Sequence, residues 1–336
     1  MTEASAKIKN VDLEIAPEAT KPQSRSWRRF RRNKPAMLSV WVLGIIIFLC
    51  MATLFISVNQ YDHQQLELTS TAPTMDSSKL DRVLDPETKV WREKFAPFGY
   101  DSLGRNLLWR SLFGGMVSLG IGLAAAIISV SIGTGWGLIA GWYGGRIDNI
   151  MMRTVDILYG LPYILLVILF KIAFEPQLIK IVGEKHEKIA NVIILFVAIG
   201  GISWLTMARV IRGQVMSLRS QPFIEAARAQ GLPTSRIMLK HLLPNLLGPI
   251  IVYATLTVPQ AILQESFLSY LGIGIKPPVP TWGSLASEAV KAVNTVDSFW
   301  WMITFPCVML GLTLLCLNFI GDGLRDAFDP RTKKKG

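Results

Sequence analysis

Residues 221–245 read QPFIEAARAQGLPTSRIMLKHLLPN, a polar and basic stretch set between two long apolar segments. The spacing predicts two short helices hinged at Gly231-Leu232-Pro233, because glycine takes up a left-handed backbone at low steric cost and commonly stops a helix. The first helix carries Ala226, Ala227 and Ala229 around Glu225. Side chains this small let another surface approach the backbone closely. The second helix places Ile237, Leu239 and Leu242 among Arg236, Lys240 and His241, with Ser235 positioned to cap its start and Pro244 to mark its end. An amphipathic pair of this kind fits a helix lying on a lipid surface. It also fits a segment that docks on a partner, since a loop between membrane spans seldom needs two ordered helices.

The remainder of the chain supplies those spans. Hydrophobic residues make up 51% of the 336, and the mean hydropathy is +0.38. Several apolar runs reach about 20 residues, the length that crosses a bilayer as helix. The expected fold class is therefore an all-α polytopic membrane protein, not a soluble domain. The formal charge of +11 would suggest nucleic-acid binding in a soluble protein. Here the basic residues cluster beside the apolar runs, which reads as membrane orientation, and no nucleic-acid partner is expected. Cys50, Cys307 and Cys316 all fall inside apolar runs without zinc spacing and read as packed thiols. His63, His186 and His241 are scattered, so no metal site is expected.

In order, residues 1–36 form a cytoplasmic tail. Its first 24 residues lack periodicity and read as disordered. The run RSWRRFRRNK at 25–34 reads as a positive-inside anchor with Trp27 and Phe30 at the interface. Residues 37–58 form span 1, too long for a signal-peptide core and without a cleavage site after it. Residues 59–115 are an extracytoplasmic loop, near whose end Asp101 is placed to cap a short helix. Span 2, about 116–140, carries Gly120, Gly122, Gly133, Gly135 and Gly137, a pattern that permits tight helix contact. A cytoplasmic turn at 141–153 leads to span 3 at 154–170. There Asp156 sits one turn from Arg153, within reach of a local ion pair, and Pro162 should bend the helix. Residues 175–188 read as a short outer loop and 190–208 as span 4. The basic exit of span 4 at Arg209, Arg212 and Arg219 puts the loop 209–245 in the cytoplasm. Span 5 covers 246–263. An outer segment at 265–300 follows, with Trp282, Trp300 and Trp301 as interface anchors, then span 6 at 302–320. Residues 321–336, with Lys333, Lys334 and Lys335, form a second cytoplasmic tail. The domain proper is 116–320, with both termini cytoplasmic.

Glu225-Ala226-Ala227, Gly231 and the later Leu243-Pro244-Asn245 resemble the EAA loop of ABC import permeases. Further stretches resemble signatures of the oligopeptide and dipeptide permeases within that family. These are FGYDSLGR at 98–105 (Tyr100 and Asn106 depart from the pattern), AGWYGG with Asp148, Met152, Arg153 and Asp156 at 140–156, ESFLSYLGIGIKPPVPTWG at 265–283, and NFIGDGLRD at 318–326. The likeness is strongest to the C-type membrane subunits of oligopeptide permeases. It implies six helices of the type I ABC importer permease kind and a place in the bacterial inner membrane. It also implies a docking surface for an ATPase built from Pro222, Phe223, Glu225, Ala226, Ala227, Arg228, Gly231, Leu232 and Pro244. The implied partners are a homologous B-type permease subunit, two P-loop ATPases that bind ATP and Mg, an extracytoplasmic peptide-binding protein, and lipid. The implied cargo is peptide, oligopeptides in the first place, with another small solute such as dipeptide or nickel as the alternative.

The chain itself contains no G-x4-GK[ST] phosphate loop, no HExxH and no GxSxG elbow in a suitable context. It is therefore expected to be a non-catalytic subunit without its own cofactor. The runner-up class is a six-span carrier or channel independent of ATP. Its weakness is the paucity of ionisable groups inside the spans, which proton-coupled carriers need.

Overall fold

The computed structural model describes residues 22–56, 60–73, 83–84, 91–92, 96–183, 186–292 and 298–328. Helix α1 (Pro22–Arg32) leads into α2 (Lys34–Ile56), and a two-residue antiparallel pair, β1 (Val83–Leu84) and β2 (Trp91–Arg92), lies in the segment that follows. The main body is α3 (Leu107–Tyr143), α4 (Gly145–Tyr159), α5 (Tyr163–Val182) and α6 (Glu187–Leu218), then α7 (Pro222–Ala229), α8 (Thr234–Ile237), α9 (Leu243–Tyr270), α10 (Trp282–Ala292) and α11 (Trp300–Phe328). Among the described residues five helices, α2, α3, α6, the continuous α8–α9 and α11, are long and apolar enough to cross a membrane, and counting the bent pair α4–α5 as one broken span brings the number to six. The expected residues 1–24 and 329–336 of the tails lie mostly outside the described residues.

The central seam is α3 against α6, and glycine spacing explains it. Gly133, Gly137 and Gly141 recur every four residues and so share one face of α3. A Cβ added at Gly137 would lie 2.6 Å from the Ala208 carbonyl oxygen, and one at Gly141 would lie 2.8 Å from that of Arg212. The backbones therefore touch, which is how membrane helices associate where lipid supplies no hydrophobic drive. Gly122 packs in the same manner against Val258 of α9, whereas Gly135 faces open space.

Helix α3 begins well before its apolar run. Its cap is Asn106, whose side chain accepts from the Leu108 amide at 3.0 Å, not Asp101 as the sequence suggested. Asp101 instead closes the turn before it, accepting from the Leu103 and Arg105 amides at 2.9 Å each.

The third crossing departs most from expectation. A single kinked helix over 154–170 was expected, but the chain breaks at Gly160-Leu161-Pro162 and turns through 92°. Pro162 has no amide hydrogen and disfavours helical backbone at the residue before it. Tertiary contacts enlarge the kink to a break: Asp148 takes a bidentate pair from Arg212 at 2.5 and 2.6 Å, and Asp156 accepts from Arg209 at 2.8 Å. The expected Asp156–Arg153 pair is thus replaced by a link between α4 and α6. Beyond the break α5 stays helical to Val182, through the residues expected to be loop.

Three aromatic expectations also change. Trp282 is fully buried, its indole N–H donating to the Ser111 carbonyl at 2.9 Å, and Trp301 is buried too; Trp300 alone of the three is exposed. Phe30 packs with Ala36 and Ala327 instead of sitting at an interface, while Trp27 is exposed. Cys50 and Cys316 are buried as expected, but Cys307 is exposed.

Candidate functional site

Helix α7 begins at Pro222, a first-turn position where the missing amide hydrogen costs nothing. Glu225 lies in the same turn, favourably placed against the positive end of the helix dipole. The end of α7 is a Schellman cap: the Gly231 amide donates to the Arg228 carbonyl at 2.9 Å and the Leu232 amide to the Ala227 carbonyl at 3.3 Å. Gly231 has φ +73°, which requires a left-handed residue, and nothing lies within 4 Å of a Cβ added there. Its role is conformational, without steric crowding.

The helix has two distinct faces. Ile224 and Ala227, three residues apart, are buried against Trp142, Ile211, Val215 and Leu242. The Arg228 guanidinium stacks over the Trp142 ring at 4.4 Å, a cation–π contact. Arg219 reinforces this footing by donating to the carbonyls of Gly141 and Trp142 at 3.1 and 3.3 Å, the last turn of α3. Pro222, Phe223, Glu225, Ala226 and Ala229 point away and are exposed, Phe223 at 41%. Of the small residues expected to admit a partner, Ala226 is on the free face. Ala227 is spent on the footing.

The second helix differs from expectation. Pro233, not Ser235, occupies the position before α8, and Pro244 does not end it. A π turn over Met238–Leu242 joins α8 to α9, so that residues 234–270 form one continuous helix. Proline inside a helix clashes with the carbonyl four residues back. A local shift to wider hydrogen bonding relieves such a clash, and the Asn245 side chain picks up the His241 carbonyl at 2.7 Å. The helix that follows α7 after Gly231-Leu232-Pro233 therefore runs without a break into the long apolar helix.

The far ends of these helices are locked by polar groups. Glu265 on α9 is fully buried and accepts from the hydroxyls of Ser269 and Thr281 at 2.6 and 2.7 Å. The Lys171 ammonium donates to the Ile273 and Gly274 carbonyls at 2.6 and 2.7 Å. Asp101 pairs with Arg105 and Arg110, and both guanidinium groups also reach Glu288 of α10. Burial alone would raise the Asp101 pKa, but the Arg110 and Arg105 charges and two amide hydrogen bonds outweigh it and hold the carboxyl below its ordinary range. Asp101 and Arg105 of this network lay in a stretch that resembles a family signature, where Asp101 was read as a helix cap. Arg110 and Glu288 gave no signal of their own.

The structure is a bundle of long apolar helices with one short helix, α7, rooted by its apolar face between two of them. The chain belongs to the family of binding-protein-dependent transport system inner membrane components, permease subunits of ABC importers, which it matches over residues 133–334. Residues 22–73 match the N-terminal transmembrane domain of oligopeptide transport permease C. The chain is 42% identical to the oligopeptide transport system permease protein OppC of Haemophilus influenzae, over 91% of this chain and 88% of that one. It is 39% identical to OppC of Escherichia coli strain K12, over 98% of each. It is 37% identical to the dipeptide transport system permease protein DppC of Bacillus subtilis, over 92% of this chain and 86% of that one. In fold it is similar to an inward-facing MetNI methionine ABC transporter chain, with TM-score 0.51 and 19% identity over 66% of this chain and 98% of that one. The type I importer permease fold and the inner-membrane location expected from sequence are both borne out.

Proposed function

We propose that this chain is one of two permease subunits of an ATP-driven importer of peptides, oligopeptides in the first place, and that α7 is its docking helix for a partner ATPase. The observation that carries the docking reading is the division of α7 into a rooted face and a bare one. Ile224, Ala227 and Arg228 tie the helix to the ends of α3, α6 and α9, while Phe223, Glu225 and Ala226 are left for a partner. Movement of a docked partner reaches the membrane through the unbroken helix 234–270. The peptide cargo rests on the relatives named for oligopeptide and dipeptide transport.

In this reading the loop 209–245 and both termini are cytoplasmic. ATP and Mg are held by two separate P-loop ATPases, and the chain hydrolyses nothing itself. A homologous B-type subunit completes the path and an extracytoplasmic binding protein delivers the cargo. Affinity purification from native membranes in mild detergent is expected to recover those partners. Recovery of the chain alone, under conditions that hold known complexes together, would reject the reading. Gly231→Val tests the coupling directly. A β-branched residue at φ +73° is strained by about 1–2 kcal/mol, which should tilt α7 without unfolding the bundle. Peptide uptake is expected to fall while the membrane level of the protein holds, and normal uptake would count against the docking role.

A further inference from the structure

A cleft of about 480 Å³ opens among α5, α6 and α9 beside the Gly160-Leu161-Pro162 break. No Asp, Glu, Lys, Arg or His is among its lining residues. Its polar groups are nonetheless organised. Tyr253, Thr257, Gln260 and Gln264 all line it, at steps of four, three and four residues along α9. That spacing places them on one helical face. Ser203 and Thr206 of α6 line the same cleft.

A polar stripe on a membrane helix normally has hydrogen-bond partners within the protein, because lipid offers none. Here two of the hydroxyls are already spent as donors: Thr257 donates to the Tyr253 carbonyl at 2.8 Å and Ser203 to the Ile199 carbonyl at 2.8 Å. Their oxygens retain lone pairs as acceptors. The Gln264 side-chain carbonyl oxygen is buried and has no hydrogen-bond partner. Such a group costs free energy unless something supplies a donor.

We propose that Tyr253, Thr257, Gln260 and Gln264 form this subunit's wall of the translocation path and hydrogen-bond the main chain of the passing cargo. This rests on the peptide reading above and deepens it. A carboxamide offers one acceptor and two donors, the complement of a peptide group with its one N–H and one C=O. Main-chain amides are common to every peptide, whatever its side chains. A wall without ionised groups offers neither a salt bridge nor a like-charge contact, so it does not select one sign of side-chain charge over the other. The stripe lies on the continuous helix 234–270 that begins just after α7, so its position shifts with the movement that opens and closes the path.

The test uses the assembled complex from native membranes in a background with Cys50, Cys307 and Cys316 replaced by serine. Gln260→Cys, Gln264→Cys and Leu263→Cys are compared for reaction with a membrane-impermeant, water-soluble thiol reagent, Leu263 being exposed on a neighbouring face outside the cleft. The two stripe positions are expected to react about tenfold faster than position 263, and tetra-alanine during ATP turnover should slow them alone. In uptake assays, N-methylation of one tetra-alanine amide should lower wild-type transport about tenfold, the size of one lost buried hydrogen bond. That penalty should vanish in Gln264→Leu. Stripe positions that react no faster than 263 overturn the proposal, as does an unchanged N-methyl penalty in both Gln260→Leu and Gln264→Leu. Failure of the peptide reading itself looks different: the wild-type complex would not accumulate tetra-alanine at all, and the labelling rates would still decide whether the stripe faces the path.

Discussion

The two ends of the bundle are built on opposite plans. At the end where α3 and α11 meet α10, charged groups are largely buried and paired, although Arg110 Nε and one Glu265 oxygen have no hydrogen-bond partner. Arg110 and Arg105 are shared between Asp101 and Glu288, Glu265 takes two hydroxyls, and Lys171 closes on two carbonyls. At the α7 end Arg212 pairs with Asp148, but α7 itself is anchored mainly by apolar packing, with Ile224 and Ala227 on a hydrophobic cluster, and the charged or aromatic groups Glu225 and Phe223 are left outward. The first plan makes a rigid base. The second leaves groups unspent, and unspent groups on an ordered helix are what a partner can use. Buried ionic networks are sensitive to losing one member, whereas exposed positions tolerate change.

That contrast predicts a graded series of effects. The largest should come from Arg110→Met, which leaves Asp101 and Glu288 with Arg105 as their remaining guanidinium partner in this cluster. Removing one partner of a buried network costs about 3–5 kcal/mol, seen as a much lower melting temperature in detergent and poor accumulation in membranes. A wild-type melt for this variant would mean that the polar end is not the rigid base. Next is Gly137→Val, whose added side chain meets the Ala208 carbonyl. Overpacking of this kind costs about 1–3 kcal/mol, and separation of α3 from α6 should appear as faster proteolysis.

A smaller effect is expected from acid. The Asp101 pKa is lowered on folding, so its contribution is present above the unfolded carboxyl pKa and is lost as pH falls through the folded value. Wild-type melting temperature should therefore drop on acidification below the ordinary carboxylate range. Asp101→Asn should show a flatter dependence, and parallel curves would remove Asp101 from the network's energetics. The smallest stability effect should be that of Phe223→Ala, within about 0.5 kcal/mol for an exposed site. It should nevertheless weaken recovery of partner ATPase in pull-downs. A variant that melts early instead would place Phe223 in the footing and blur the contrast.

Much of this was legible beforehand because it depends on local chemistry. Gly231 as a left-handed stop, two helices around it, and long apolar crossings all follow from neighbouring residues and from segment length. The glycine pattern of α3 announced close packing, although not that Gly133, Gly137 and Gly141 would face α6 while Gly135 faces nothing. Pro244 misled because a proline signals a helix end locally, and only the π turn before it lets α8 run on into α9. Asp156 found Arg209, 53 residues away, over Arg153 one turn away, because the break at Pro162 brings α4 alongside α6.

The sequence by itself determined the class of molecule: a bundle of long apolar helices, which loop is polar and ordered, and which family the motifs resemble. Those properties come from composition, period and turn chemistry, which act over a few residues. The tertiary structure alone decided which face of α7 is free, which acids and bases pair across the bundle, and which polar residues of α9 share a cleft. Those depend on the rotation and crossing of helices far apart in the chain, which side-chain packing sets and no local pattern records.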